Sequence, residues 1–245
     1  MPALTALDRH KDKNSVIRRL SNIDWANWYR HCRLEKFEPD LPGSVFRFSS
    51  SKIIFPTSAI FSIAGESQCN ELAESSMIGN ESIVGAWNIL EDAPYRISFF
   101  VQTGGFGIVI PTAFLRLEFI RSSTFRRLVL DNTVSLVHYA NQTCVCYRHH
   151  SPQQQIAKTL LLTAHRIGGR RVSMTHQRIA TILGLRREAV SLAIIDLARS
   201  HLVRQERGCT VITDFLGLKQ KSCECYDRLV ELLELRPQPS TSNWV

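Results

Sequence analysis

Hydrophobic positions between residues 15 and 38 fall at helical spacing (Val16, Ile17, Leu20, Ile23, Trp25, Trp28) and predict one or two short helices. From about 41 to 118 the pattern shortens. Ser44–Phe48, Lys52–Phe55, Ala59–Ala64, Ile97–Gln102 and Phe106–Ile110 are brief β-rich runs separated by Pro, Gly, Ser and Asn. Pro42-Gly43, Gly79-Asn80 and Gly104-Gly105 are turn dipeptides between and around them. Short strands at this spacing, with no long helix among them, predict an antiparallel sandwich or barrel.

After Pro111 neither glycine nor proline interrupts the chain until Pro152, so this stretch reads as helical. Thr112 to Arg127 forms a short helix and its continuation. Beyond it, Leu130, Thr133, Val137, Ala140, Cys144 and Tyr147 are spaced 3, 4, 3, 4 and 3 apart. That is the seam of a coiled coil and predicts a dimerisation helix, with an amphipathic helix packed on its own domain as the alternative. Ser151-Pro152 ends it. Gln153–Ile167 follows as a further helix with Ile156, Leu160, Leu161 and Ala164 on one face, closed by Gly168-Gly169.

The segment 173–203 is the most informative in the chain. Thr175 is a good N-cap for a helix over His176–Leu183 with core positions Ile179, Ile182 and Leu183. Gly184 stands where a left-handed residue closes such a helix. A second helix from about Arg186 to His201 buries Val190, Ile194, Leu197 and Ala198. Two helices joined by a short glycine turn are a helix-turn-helix. Arg186, Arg187, Glu188 and Ser191 fall on the first turns of the second helix, away from its buried positions, where base-reading side chains sit when such a helix enters the major groove. Val203–Glu206 and Cys209–Thr213 then flank Arg207-Gly208 as a hairpin, the wing of a winged helix. A plain αα-hairpin with a basic surface would lack the turn glycine, the double arginine and the basic hairpin together.

Charge sharpens this picture. Of a net +8, residues 151–225 hold twelve Lys/Arg against five Asp/Glu, or +7, and the remaining 170 residues carry 18 against 17, or +1. A localised basic block is the electrostatic footprint of a polyanion, nucleic acid first. At 245 residues, 44% apolar and 21% charged, the composition is that of a globular protein with a sizeable core. No apolar run approaches the ~20 residues of a membrane helix, and MPALTALDRHKDKN has no hydrophobic leader core. Seven cysteines in such a chain are expected to be reduced thiols of a soluble cytoplasmic protein.

The run THQRIATILGLRREAVSLAIIDLARSHLVRQERGCTVITD (175–214) resembles the winged helix-turn-helix of the Crp/Fnr family of bacterial transcription regulators. LKQKSCECYDRL (218–229) is similar to the end of one branch of that family, and PTSAIFSI (56–63), MIGNESIVGAW (77–87) and CYRHH (146–150) are similar to its β-roll and dimerisation helix. The resemblance implies an α+β architecture. An N-terminal helical segment (1–40) would precede an antiparallel, jelly-roll-like β-roll sensor (41–118) and a long dimerisation helix (119–150). A winged helix-turn-helix (151–225) and a tail (226–245) would follow. It implies a homodimer reading an inverted repeat in double-stranded DNA, with RNA polymerase as a further partner and no enzymatic activity. Family members read DNA through an Arg and a Glu, here Arg187 and Glu188, with a hydroxyl and an amide on phosphate, here Thr175 and Gln177. A further family arginine is replaced by Leu192.

Aligning Gly85 to the family glycine of cyclic-nucleotide sites puts Arg96 at the phosphate position, but Ala86 stands where the ribose-binding Glu belongs, and Glu81 is offset. Only Cys32 lies within the first 60 residues, so the N-terminal iron–sulfur ligand cluster of oxygen-sensing relatives is absent. Cys144, Cys146, His149 and His150 carry metal-binding donors, yet 144 and 146 face apart on a helix, and Cys223-x-Cys225 supplies two ligands without local partners. No metal or cofactor is therefore expected. Leu41 to Glu118 contains no His, which removes a cupin-type metalloenzyme, and no G-x-S-x-G, H-E-x-x-H or P-loop occurs. Within the family, a cyclic-nucleotide- or redox/metal-responsive member remains open, and outside it a protein-interaction adaptor.

Overall fold

A computed structural model describes residues 6–39, 50–68, 71–91 and 98–234. Helix α1 (Ala6–Lys11), a 3-10 turn (Ile17–Arg19) and α2 (Asn22–Tyr29) lead into β1 (Arg33–Phe37), β2 (Lys52–Pro56), β3 (Ile60–Glu66) and β4 (Leu72–Ile78). Then come α3 (Trp87–Leu90), β5 (Ser98–Thr103), β6 (Gly105–Pro111), α4 (Thr112–Arg121) and α5 (Ser123–His149). The C-terminal part holds α6 (Pro152–Ile167), β7 (Arg171–Val172), α7 (His176–Leu183), α8 (Arg187–Arg199), β8 (Val203–Glu206), β9 (Cys209–Ile212), α9 (Phe215–Lys221) and α10 (Cys225–Glu234).

The roll is two antiparallel three-stranded sheets, β1-β6-β2 and β4-β3-β5. Strand side chains alternate faces, and here both faces of each sheet are covered. Ile54 and Val109 point between the sheets to meet Phe61, Ile63 and Val101. Ile53, Phe55, Ile108 and Ile110 point outward from the first sheet onto Trp28, Leu115, Phe125 and Val129. Ile60, Ala64, Met77 and Phe100 point outward from the second sheet into the same core as Ile156, Leu160, Val172 and Ile179 of the C-terminal part. The winged helix is thus docked on the outer face of the second sheet.

Two strands lie where the sequence pattern predicts none. β1 falls in the segment read as helix, and β4 (LAESSMI) reads as polar because its Glu74 and Ser76 are buried only by tertiary cover. The expected strand Ser44–Phe48 lies outside the described residues. The helical stretch after Pro111 divides at Ser122, whose hydroxyl accepts from Phe125 N to start α5, 27 residues long. At the other end Ser151 and Gln154 form a capping box with Pro152 in the first turn of α6, and Gly168 closes that helix at φ 68. The segment expected to be a tail begins with α10, whose Leu229 is buried and which packs along α5 and α6.

Candidate nucleic-acid interface

Local chemistry builds the helix-turn-helix from both ends. Thr175 Oγ1 accepts from Arg178 N at 3.2 Å to start α7, and Gly184 ends it at φ 63, in the left-handed region. Ile179, Ile182 and Leu183 of α7 meet Val190, Ala193, Ile194 and Leu197 of α8 in one core. With that face locked, Glu188, Leu192, Ile195 and Arg199 present the opposite face of α8 to solvent, with Leu192 64% exposed. Arg186 and Arg187 are exposed at its N-terminus, and Glu188 sits favourably at the positive end of the helix dipole.

The residues singled out in the sequence do not all share one surface. Thr175, Gln177 and Arg187 line a cleft of about 280 Å³ between the start of α7, the start of α8 and the wing. Gln177 and Arg186 also line a larger cleft of about 810 Å³ whose far wall is the β3–β4 hairpin, with Glu66 and Glu71. Ser191 is turned inward: His176 Nδ1 lies 3.0 Å from its hydroxyl, and His176 Nε2 lies 3.1 Å from Gln205 Oε1. His176 therefore ties α8 to the wing, a role no sequence spacing announces.

In the wing, Gly208 makes the turn at φ 69. Arg171 and Arg204 both bind Glu206, and these two arginines, Arg171 foremost, hold its carboxyl below the usual range. Arg207 is exposed at the tip, and Arg170 donates to the Thr213 carbonyl at 3.2 Å.

Several buried polar contacts fix this unit on the roll. Arg178 donates to the carbonyls of Val101 and Gln102 at 2.8 and 3.0 Å. Gln102 Nε2 donates to Thr163 Oγ1, and the Tyr147 hydroxyl donates to the Glu74 and Ile182 carbonyls. Arg166 binds Glu81, so Glu81 is a structural carboxylate with its acceptor already engaged. Gly85 has φ 85, and Ala86 beside it is buried and has no polar side-chain atom. Trp87 stacks on Phe99 at 5.0 Å beside it. Arg96 lies outside the described residues.

Of the seam expected from spacing, Leu130, Val137 and Cys144 are exposed on α5 and the other three positions are not. Tyr147 is drawn into the intramolecular core, and Thr133 and Ala140 are half-buried. The apolar side chains that α5 leaves outward are Leu130, Val134, Val137 and Val145, between 43% and 56% exposed. This stripe is rotated about 70° around the helix axis from the expected one.

A correction concerns the cysteines. Cys223 and Cys225 do have partners: α10 folds back so that their sulfurs, the Cys146 sulfur and a ring nitrogen of His150 lie within 4.8 Å of one another. Cys144 and His149 face solvent instead. Cys146 Sγ is 3.6 Å from Cys223 Sγ, and Cys225 Sγ is 3.5 Å from His150 Nδ1. The hydrogen bond from Cys223 pushes the Cys146 thiol down, and the same bond, with burial, holds the Cys223 thiol high.

Residues 154–221 match the Crp-like helix-turn-helix domain family. No curated protein matches the chain by sequence. Among solved structures, a protein from Eubacterium rectale assigned to the Crp/Fnr transcriptional regulators superposes at TM-score 0.66 and 13% identity, covering 85% of this chain and 98% of that one. FixK2 from Bradyrhizobium japonicum does so at 0.64 and 13%, covering 78% and 98%. A CRP-family transcriptional regulator from Thermus thermophilus gives 0.64 and 14%, covering 77% and 96%. No described helix is long and apolar enough to cross a membrane. The chain carries a Crp-like helix-turn-helix domain and has the fold of the Crp/Fnr transcription regulators.

Proposed function

We propose that the protein is a homodimeric transcription regulator that reads an inverted repeat in double-stranded DNA with α8. The observation that carries this reading is the exposure of Arg187 and Glu188 together on the first turn of a helix whose other face is locked in the core. Arginine donates bidentately to guanine O6/N7 and glutamate accepts from cytosine N4. Thr175 and Gln177, beside them, supply a hydroxyl and an amide for phosphate, and Arg186 adds charge. Ser191 positions α8 through His176, and exposed Leu192 offers only an apolar contact, suited to a thymine methyl.

Dimerisation places two such helices about a dyad, and the outward stripe Leu130, Val134, Val137 and Val145 is the surface suited to it. RNA polymerase is the further partner that the family resemblance implies. A signal received by the roll would reach the winged helix through the Arg178 and Glu81–Arg166 contacts. Buried Ala86 argues that this signal is not a cyclic nucleotide. Selection of bound duplexes from a random library by the full chain tests the reading. Inverted repeats with half-site centres about one helical turn apart support it, whereas single unpaired half-sites or no enrichment overturn it.

A further inference from the structure

Four metal donors converge at the hinge between α5 and α6, from segments far apart in sequence. Cys146 and His150 sit one turn apart at the end of α5, and Cys223 and Cys225 bracket the start of α10. The three thiols are almost wholly buried, and the His150 side chain is 13% exposed. We infer that Cys146, His150, Cys223 and Cys225 bind one zinc ion, which clamps the C-terminal end of the winged helix to the last turn of α5.

The geometry is that of an ion-sized site. With Zn–S near 2.3 Å and Zn–N near 2.0–2.1 Å, a tetrahedral centre has S···S edges of about 3.8 Å and S···N edges of about 3.6 Å. The Cys146–Cys223 separation of 3.6 Å and the Cys225–His150 separation of 3.5 Å are close to those edges. Donors all within 4.8 Å converge on one ion rather than spreading around a bridged cluster. Thiolate and imidazole ligands together select zinc over the harder magnesium or calcium, and four protein ligands make a closed, structural site.

The surroundings are those of a ligand set. His150 presents Nδ1 to the sulfurs while Nε2 lies 3.3 Å from Glu224 Oε2, the carboxylate–histidine arrangement that orients a ligating imidazole. Gln142 Nε2 donates to Cys225 Sγ at 3.0 Å. Three thiolates and a divalent ion leave one net negative charge, and buried Lys158 supplies the opposite sign.

The consequence is topological. Cys146 and Cys223 are 77 residues apart, and the chain between them is the hinge and almost the whole winged helix. α6 leaves α5 at Ser151, so a metal here anchors the DNA-binding unit at both its entry and its exit. The inference rests on these donors and not on the reading of α8.

Metal analysis of the full chain, purified under reducing conditions and then incubated with zinc sulfate alone, tests it. One zinc per chain is expected, and cobalt(II) alone should give the thiolate-to-metal charge-transfer absorption of a tetrahedral site. Cys225→Ser should lose both signals while Cys144→Ser, outside the cluster, keeps them. Should Cys225→Ser fold poorly, the wild type still decides: in mild denaturant a thiol reagent should label Cys146, Cys223 and Cys225 faster after chelation than before it, and Cys144 alike in either state. Absence of zinc and of the cobalt band, iron in place of zinc, or labelling indifferent to chelator overturns the inference.

Discussion

Arg166 Nη2 lies 3.1 Å from Glu81 Oε1, with the arginine side chain 2% exposed and the glutamate 12%. Arg166 also donates to the Met77 carbonyl and stands 5.7 Å over the Tyr139 ring, so one guanidinium joins the roll, α5 and α6. Removing one partner of such a pair strands a buried charge, which costs about 3–5 kcal/mol. Glu81→Ala should therefore lower the denaturant midpoint steeply. The double variant Glu81→Leu/Arg166→Met should recover most of that loss, because no uncompensated charge remains. Equal losses in the single and double variants would contradict the assignment.

Glu74 carries a different kind of cost. It is buried beneath α6, one carboxylate oxygen has no hydrogen-bond partner, and burial pushes its carboxyl up to about 7 from an ordinary 4.5. Between those values the folded chain keeps a proton that the unfolded chain has lost, so stability falls as pH rises through the window. At 1.36 kcal/mol per pKa unit the cost above pH 7 is up to about 3 kcal/mol. Glu74→Gln should be more stable than wild type at pH 8 and equal to it near pH 4. A variant less stable at pH 8 would mean that the ionised carboxylate, paired with Lys158, is the form the fold needs.

The outward stripe on α5 gives a test of assembly. Val137 is 55% exposed in the single chain, so Val137→Asp leaves the protomer fold intact. In a dimer the same change buries an unpaired charge and should cost several kcal/mol of association. Sedimentation should show wild-type dimers and Val137→Asp monomers at micromolar concentration. Thr133→Asp, off the stripe, should weaken association less. A wild type already monomeric at that concentration would remove the dimer.

What could be read from the sequence followed the range of the interactions. Thr175, Gly184 and Gly208 act on their neighbours within a few residues, and the helix-turn-helix and wing lie where those residues indicate. β4 is illegible because Glu74 and Ser76 look like surface residues until α5 and α7 pack on the strand. On α5 the spacing does not show that Tyr147 leaves the seam, because its hydroxyl is claimed by the Glu74 and Ile182 carbonyls. The cysteine–histidine group could not be assembled by spacing at all, since its halves meet only through the return of α10. Arg187 and Glu188 stand exposed at the expected turn, whereas the inward tie of Ser191 to His176 is a contact between two helices that spacing does not encode.

A base-reading α8 is separated from a phosphate-binding one by titrating full-length Arg187→Ala against operator and scrambled duplexes at several salt concentrations. Loss of a bidentate base contact should cost about 1–3 kcal/mol on the operator and relax preference at one guanine, with scrambled DNA affected much less. Arg207→Ala, at the wing tip, should instead weaken both duplexes together and reduce the slope of log K against log salt by about one unit. Equal losses on operator and scrambled DNA for Arg187→Ala would contradict base reading, placing Arg187 on phosphate and α8 outside the major groove.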